Sequence, residues 1–156
     1  YLIDNNQKKG GEYQLPDALR RLTEKGTCFV PGKVSAWLDC GNKRVTVETN
    51  HHVLNFENEK GKNLVDETAE IMDSIILQPC FIGEGAKISR SVVGPNVSVG
   101  ANSVVQDSRI SNSIIQQNSH LSNLVLKDSM IGSYVKVKHA AKDLSIGDYT
   151  EMGDAN

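Results

Sequence analysis

A six-residue repeat in the second half of the chain limits its possible folds more than any other feature. Each copy has an aliphatic residue, a glycine, two turn-forming residues, a small residue and a variable one, as in residues 82–87 (IGEGAK). Full copies occupy residues 82–87, 93–98, 99–104, 131–136 and 146–151, and degenerate copies such as 115–120 lie between them. Repeats of a fixed short period are typical of solenoids.

A longer period is superimposed on the six-residue units. A serine followed by two apolar residues recurs at 74–76, 91–93, 113–115 and 129–131, at spacings of 17, 22 and 16 residues. Seventeen residues are nearly three repeats, so we expect three short strands to close one coil. The 22-residue spacing would then hold one additional short step.

A single repeat supplies one strand and one turn, and a lone strand cannot bury its apolar side chain. Stacked coils solve this problem because each coil covers the next and satisfies its backbone. The repeat therefore predicts a mainly β fold, a parallel β-helix of about four or five rungs over residues 74–151. A β-sandwich of short strands is the alternative, but it gives no reason for the repeats to stay in phase.

The first half of the chain has a different composition. Thirteen of the fourteen serines lie at or after Ser74, whereas 22 of the 36 charged residues lie in 1–73. Such a change usually marks a change of architecture. We predict an incomplete α/β region at 1–56, a polar linker at 57–73 and the β-helix domain at 74–156.

The elements of the first half follow from local patterns. Leu15, Leu19 and Leu22 form a helical stripe, and Gly26 is placed to end that helix. Short strands are expected at 27–30 and 34–38.

A second helix is expected at about 42–56, with Val47, His51 and Leu54 on one face. Its β-branched residues weaken that expectation: Val45, Thr46, Val47 and Thr49.

Charge and hydropathy exclude several classes of protein. The net charge of −2 and the pI near 6.1 give no electrostatic case for binding nucleic acid or an anionic membrane. The sequence has no run of 18 apolar residues, so no transmembrane helix is predicted.

The three cysteines, Cys28, Cys40 and Cys80, are widely spaced. We therefore predict neither disulfides nor a zinc site, but buried free thiols in a reducing cytoplasm.

The quoted residues resemble two known groups of proteins. The repeats resemble the left-handed parallel β-helix of the hexapeptide-repeat proteins, and the left hand is implied by that resemblance alone. Residues 11–18 (GEYQLPDA), 36–41 (AWLDCG) and 48–50 (ETN) resemble the end of a sugar-1-phosphate nucleotidyltransferase domain. The combination resembles most the long bacterial glucose-1-phosphate thymidylyltransferase-type enzymes, over nearly the whole chain.

The resemblance implies an activity and two site residues. A sugar 1-phosphate attacks the α-phosphorus of a nucleoside triphosphate, with glucose 1-phosphate and dTTP or UTP expected and mannose 1-phosphate with GTP still open. Asp39 is implied as a ligand of the catalytic Mg²⁺, and Glu12 as part of the sugar-phosphate pocket. From the residues alone, Asp39 fits equally well as an ordinary turn or helix-entry residue, and Glu12 as an exposed charge near a helix start.

Some expected parts of such an enzyme are not found in the sequence. The family's Gly-rich nucleotide loop and second metal carboxylate have no match here, and Pro16 stands where the family usually has threonine. The chain begins at Tyr1 without an initiator methionine and reads as a piece of a longer one. We therefore expect no nucleotidyl transfer by these 156 residues alone.

Two other functions stay open at this point. A hexapeptide-repeat acyltransferase would use a histidine as general base, and His120 and His139 are the candidates within the repeats. A purely structural or regulatory module would use the β-helix for contacts in a homo-oligomer. His51 and His52 are interpreted as helix-surface residues, because adjacent helix positions point in different directions.

Overall fold

The computed structural model describes residues 1–140 and 149. The chain divides into two compact units, Tyr1–Trp37 and Leu38–Asn156. None of the helices in the described residues has the length and apolarity needed to cross a membrane.

The first unit contains one helix, α1, at Leu15–Glu24. A proline lies in its first turn, and Gly26 follows its end with a φ of +88°, a conformation that glycine adopts without steric cost. The predicted helix and its end are therefore confirmed. Its leucine stripe is nevertheless exposed, and Leu15 retains 70% of its accessible surface.

The two strands predicted at 27–30 and 34–38 are wrong. Both segments are irregular, and their apolar side chains are exposed; Trp37, for example, is 85% exposed. A strand is stable only when a neighbouring strand pairs with its backbone. No strand is present beside these segments in the described part of the first unit, where Lys9 and Glu12 form only an isolated bridge.

The second unit begins with a short irregular segment and a helix, α2, at Lys43–Glu59. The side chain of Asn42 caps the helix by accepting a hydrogen bond from the Val45 amide at 3.2 Å. The predicted second helix is thus confirmed and runs three residues further than expected. Val47 and Leu54 are its buried residues, whereas His51 is exposed.

After α2 the chain coils into three parallel sheets. The first sheet pairs, in order, β1 Glu70–Met72, β4 Lys87–Ser89, β7 Val104–Gln106, β10 His120–Ser122 and β13 Lys136–Lys138. The second pairs β2 Ile75–Ile76, β5 Val92–Val93, β8 Arg109–Ser111 and β11 Val125–Lys127. The third pairs β3 Cys80–Ile82, β6 Val97–Val99, β9 Ser113–Ile115 and β12 Met130–Ile131. The predicted mainly β, parallel β-helical fold is confirmed.

Successive strands of one sheet are 16 or 17 residues apart, so three strands make one turn. The described residues contain four turns and the first strand of a fifth. The serine motifs at 74–76 and 91–93 lie in the second sheet, and those at 113–115 and 129–131 in the third. The 22-residue spacing therefore holds one turn and one further strand. The repeat copy at 146–151 lies outside the described residues, apart from Tyr149.

The β-helix begins before Ser74. Strand β1 starts at Glu70, and Val65 forms a bridge with Ile82. The backbone amide of Ile82 donates to the carbonyl of Leu64 at 2.9 Å. The segment predicted as a linker at 57–73 thus contains the end of α2 and the first strand of the β-helix. This segment forms β structure because the next turn of the β-helix pairs with its backbone.

Aliphatic side chains fill the interior of the β-helix in vertical columns. In the described residues this core contains no Phe, Tyr or Trp. Its buried members are Cys80, Ile82, Ala86, Ile88, Val93, Val97, Val99, Val105, Ile110, Ile115, Leu121 and Leu124. Cys80 is the one cysteine of the chain that is buried. The expected burial is wrong for Cys28 and Cys40, which are exposed free thiols.

Buried serines tie successive turns together. Ser91 Oγ donates to the Ser89 carbonyl at 2.7 Å and accepts from the Ser108 amide at 3.0 Å. Ser108 repeats this arrangement one turn later, donating to Gln106 and accepting from Leu124. Because each hydroxyl is satisfied by its own turn and by the next, burial carries little penalty. Such columns account for several of the serines at and after Ser74.

Candidate functional site

Asp39 lies in the irregular segment just before α2. Its carboxylate oxygen Oδ1 accepts a hydrogen bond from the Cys40 amide at 2.7 Å, and the residue is exposed. A Cβ placed on Gly41 would lie 3.3 Å from the other oxygen, Oδ2. The glycine therefore leaves open a space beside the carboxylate that any other residue would fill.

The start of α2 is electrostatically positive. Lys43 and Arg44 occupy its first turn, which contains no acidic residue. Neither cation takes part in a salt bridge among the described residues. Unpaired backbone amides and the helix dipole add to this positive charge, and together they favour an anion such as phosphate.

The carboxylate of Asp39 fits Mg²⁺ as one ligand. Magnesium prefers oxygen ligands and is commonly held by one or two carboxylates together with water and substrate phosphates. Oδ2 of Asp39 accepts no hydrogen bond from any described residue, so it is free to coordinate. The described residues contain no group of three or more His, Cys, Asp or Glu side chains that could hold a metal ion. The remaining ligands of such an ion would have to come from elsewhere.

Glu12 lies in the first unit, where its backbone pairs with that of Lys9. The Lys9 amide donates to the Glu12 carbonyl at 2.9 Å, and the Glu12 amide donates in return at 3.3 Å. The Glu12 side chain is exposed, and no described residue binds it. Glu12 belongs to the first unit and Asp39 to the second.

The histidines gain no catalytic partner in the described structure. His120 is exposed on β10, between Val104 and Lys136 of the neighbouring strands. Neither its imidazole nor that of His139 has a hydrogen-bonded side chain among residues 1–140. A general base needs such an orienting group or a substrate, so no observation here favours an acyltransferase. His51 and His52 are exposed on α2, as interpreted from the sequence, and their rings are stacked with centroids 5.7 Å apart.

The sequence did not reveal a groove of about 560 Å³ beside α2. Its lining comes from the helix and from two corners of the β-helix: Lys43, Arg44, Val47, Glu48, His51, Asn112 and Asp128. At its β-helix side, the Asn112 amide donates to the Asp128 carboxylate. Two local signals lie in the sequence: the adjacent cations Lys43 and Arg44, and the predicted helix face that carries Val47 and His51. The corner residues are more than 60 positions away and could not be placed beside the helix by any local pattern.

Comparison with known proteins finds two relatives that match about nine tenths of the chain. A glucose-1-phosphate thymidylyltransferase of Streptomyces griseus is 30% identical over an alignment of 159 residues, gaps included, that covers 90% of this chain. The resemblance to sugar-1-phosphate nucleotidyltransferases is confirmed. A glucose-1-phosphate thymidylyltransferase of Streptomyces antibioticus is 29% identical over an alignment of 161 residues that covers 91% of this chain. The chain spans 45% of the length of each of these two relatives.

A third relative matches a shorter part of the chain. A probable mannose-1-phosphate guanyltransferase of Schizosaccharomyces pombe is 42% identical over 65 residues, which are 40% of this chain and 16% of the relative. No protein-family model matches the sequence, and no solved structure matches it. The parallel β-helix is consistent with the left-handed helix implied by the hexapeptide repeats.

Proposed function

We propose that the chain is part of a sugar-1-phosphate nucleotidyltransferase, which makes a nucleoside diphosphate sugar and pyrophosphate. The observation that carries this proposal is the similarity to two thymidylyltransferases along nine tenths of the chain. The position of Asp39 supports it, since this exposed carboxylate lies just before the positively charged N-terminus of α2. Such a site suits a phosphate substrate that carries a metal ion.

In this proposal Asp39 is a ligand of Mg²⁺. The bound ion would neutralise charge on the phosphates while the sugar phosphate attacks and pyrophosphate leaves. Lys43 and Arg44 would add positive charge near the same phosphates, which lowers the cost of bringing two anionic substrates together. Glu12 is proposed as a substrate-binding residue of the sugar-phosphate pocket.

The proposed substrates are glucose 1-phosphate and either dTTP or UTP. The names of the two Streptomyces relatives support glucose 1-phosphate and a thymidine nucleotide. The name of the fission-yeast relative supports mannose 1-phosphate and GTP as the second candidate pair. The fission-yeast relative shares higher identity with this chain, but over only 40% of this chain's length.

An assay of nucleotide-sugar formation tests this proposal. The full-length protein would be incubated with Mg²⁺ and each candidate pair, and pyrophosphate and nucleotide sugar would be measured. We expect dTDP-glucose or UDP-glucose to form faster than GDP-mannose. No nucleotide sugar from any pair would contradict the proposal. The 156 residues alone are expected to be inactive, because they span 45% of the relatives' length.

The β-helix is proposed to serve assembly of a homo-oligomer or regulation of the enzyme. Exposed apolar side chains support a role in assembly, since Ile75 and Val125 are exposed in the second sheet and Leu77 is exposed just after its strand β2. Sedimentation of the protein, compared with a Val125→Lys variant, tests this role. We expect an oligomer that the substitution weakens. A monomer at high protein concentration would contradict the assembly role.

A further inference from the structure

Two threonines of α2 direct their hydroxyls back onto the segment that carries Asp39. Thr49 Oγ1 donates to the Asp39 carbonyl at 2.6 Å. Thr46 Oγ1 lies 3.2 Å from the Cys40 carbonyl and 2.8 Å from the Asn42 carbonyl. These β-branched residues have low helix propensity, so their presence in the first two turns of α2 costs helix stability. Their contacts with the preceding segment offset part of that cost.

The bond made by Thr49 differs from the usual bond of a helical threonine. Threonine in a helix commonly donates to the carbonyl four residues earlier. Thr23 in α1 does this, with its hydroxyl 3.1 Å from the Leu19 carbonyl. Thr49 instead reaches ten residues back, to the residue whose carboxylate is the proposed metal ligand.

The segment before α2 has few other tethers. Residues 38–41 make no backbone–backbone hydrogen bond within the described part of the chain. The Cys40 amide is bound to the carboxylate of Asp39 itself, so it does not anchor the segment to the helix. The hydroxyls of Thr49 and Thr46 therefore join this segment to α2. Thr49 is the more specific of the two, because Thr46 shares its single proton between two acceptors.

We propose that Thr49 is a positioning residue for Asp39. By fixing the Asp39 carbonyl on α2, it restricts the directions that the carboxylate takes and keeps Oδ2 beside the open space at Gly41. A metal ligand held in advance loses less freedom when the ion binds. This inference rests on the proposed function, because it assumes that Asp39 binds the metal.

The test combines metal binding with backbone exchange in the full-length protein. Thr49→Val removes the hydroxyl and keeps the shape of the side chain, whereas Thr49→Ser keeps a hydroxyl. Thr23→Val is the matched control, since it removes a helical threonine hydroxyl whose acceptor is in α1. Mn²⁺ binding in the presence of dTTP is measured by calorimetry, and hydrogen exchange is measured at the amides of Val45 and Thr46, which are bound to Asn42.

We expect Thr49→Val to weaken Mn²⁺ binding by about 3- to 10-fold, the effect of one lost hydrogen bond. The same change should speed amide exchange at Val45 and Thr46, because both amides are hydrogen-bonded to Asn42 at the end of the loosened segment. Thr49→Ser should restore both properties, and Thr23→Val should alter neither. Faster exchange with unchanged Mn²⁺ binding would overturn the inference and leave Thr49 with a structural role only.

An Asp39→Asn variant separates this inference from the proposed function. If Asp39→Asn weakens Mn²⁺ binding and Thr49→Val does not, the positioning role is wrong while the metal role of Asp39 stands. If Asp39→Asn also leaves Mn²⁺ binding unchanged, the metal role itself is contradicted, and the inference fails with it.

Discussion

The β-helix and the Tyr1–Trp37 unit differ in where their apolar side chains find partners. In the β-helix each turn covers the next, and residues such as Val105 and Ile110 are completely buried. In the first unit no described residue is buried, although α1 carries a regular leucine stripe. A repeat therefore encodes its own packing partner, whereas a single amphipathic helix encodes only a face that needs one.

The largest expected contrast is between two glycines with positive φ. A Cβ on Gly94 would lie 2.0 Å from the Leu77 carbonyl oxygen and 2.7 Å from Cys80 Sγ, so Gly94→Ala forces the backbone apart. We expect it to lower the free energy of unfolding by more than about 4 kcal/mol. Gly26 has open space around it, and Gly26→Ala should cost about 1–2 kcal/mol from its backbone conformation.

Urea unfolding followed by circular dichroism measures both variants. Equal losses at Gly94 and Gly26 would show that close packing of successive turns is not what distinguishes the two regions.

The next contrast removes apolar volume from each region. Ile110→Ala empties part of the β-helix core and should cost about 2–5 kcal/mol, because the stacked turns cannot collapse into the cavity. Leu15→Ala removes an exposed side chain and should change stability by less than about 0.5 kcal/mol. Chemical unfolding compares them. A cost at Leu15 as large as that at Ile110 would mean that α1 packs against a partner.

A smaller contrast concerns hydroxyl groups. Ser108→Ala leaves the Leu124 amide without its buried acceptor and should cost about 1–3 kcal/mol. Thr23→Ala removes an exposed hydroxyl in α1 and should have an effect near zero. Their unfolding midpoints and the exchange rate of the Leu124 amide distinguish them. Unchanged protection at Leu124 would refute the role of the serine columns.

The smallest expected effect is a dependence on pH at a corner of the β-helix. Arg90 contacts Asp107 through Nε at 2.6 Å and through Nη2 at 2.9 Å, and these hydrogen bonds hold the pKa of Asp107 below its ordinary value. A lowered pKa in the folded state means that the pair stabilises the fold above the ordinary pKa of aspartate. That contribution is lost as the pH falls through the lowered pKa.

Asp107→Asn should therefore lose less stability than the unaltered protein between neutral pH and pH about 3. Asparagine suits this corner, since Asn123 adopts the same left-handed conformation one turn later. Glu59→Gln is the control, because Glu59 forms no salt bridge in the described structure. An acid response of Asp107→Asn equal to that of the unaltered protein would exclude a stabilising role for the Arg90 pair.

The same difference between the regions explains what the sequence could predict. The repeats at 82–87 and 93–98 specify strand, corner and partner together, so the β-helix followed from them directly. The segments at 27–30 and 34–38 have strand-like composition, but a strand also requires a neighbour that the composition does not name. Gly26 and the leucine stripe were sufficient for α1, because its hydrogen bonds are internal.

The candidate site was less predictable for a related reason. Asp39 was found through resemblance, since a single aspartate before a helix has no distinctive pattern of its own. The role of Thr49 depends on a hydrogen bond to a carbonyl ten residues away, and its sequence signal was only a low helix propensity. Asn112 and Asp128 reach the groove beside α2 through the coil of the β-helix. Contacts of this kind exist only after the fold has formed.

The most direct test of the account is the rate of nucleotide-sugar formation by an Asp39→Asn variant of the full-length protein, measured across Mg²⁺ concentrations. Asp73→Asn is the matched control, since Asp73 is an exposed corner residue. Its backbone is left-handed, a conformation that asparagine also adopts. We predict that Asp39→Asn lowers the rate by more than about 100-fold, because even partners of metal ligands contribute 10- to 100-fold. The Asp73→Asn rate should stay near that of the unaltered protein. Equal rates for the two variants would contradict the assignment of Asp39 to the catalytic metal.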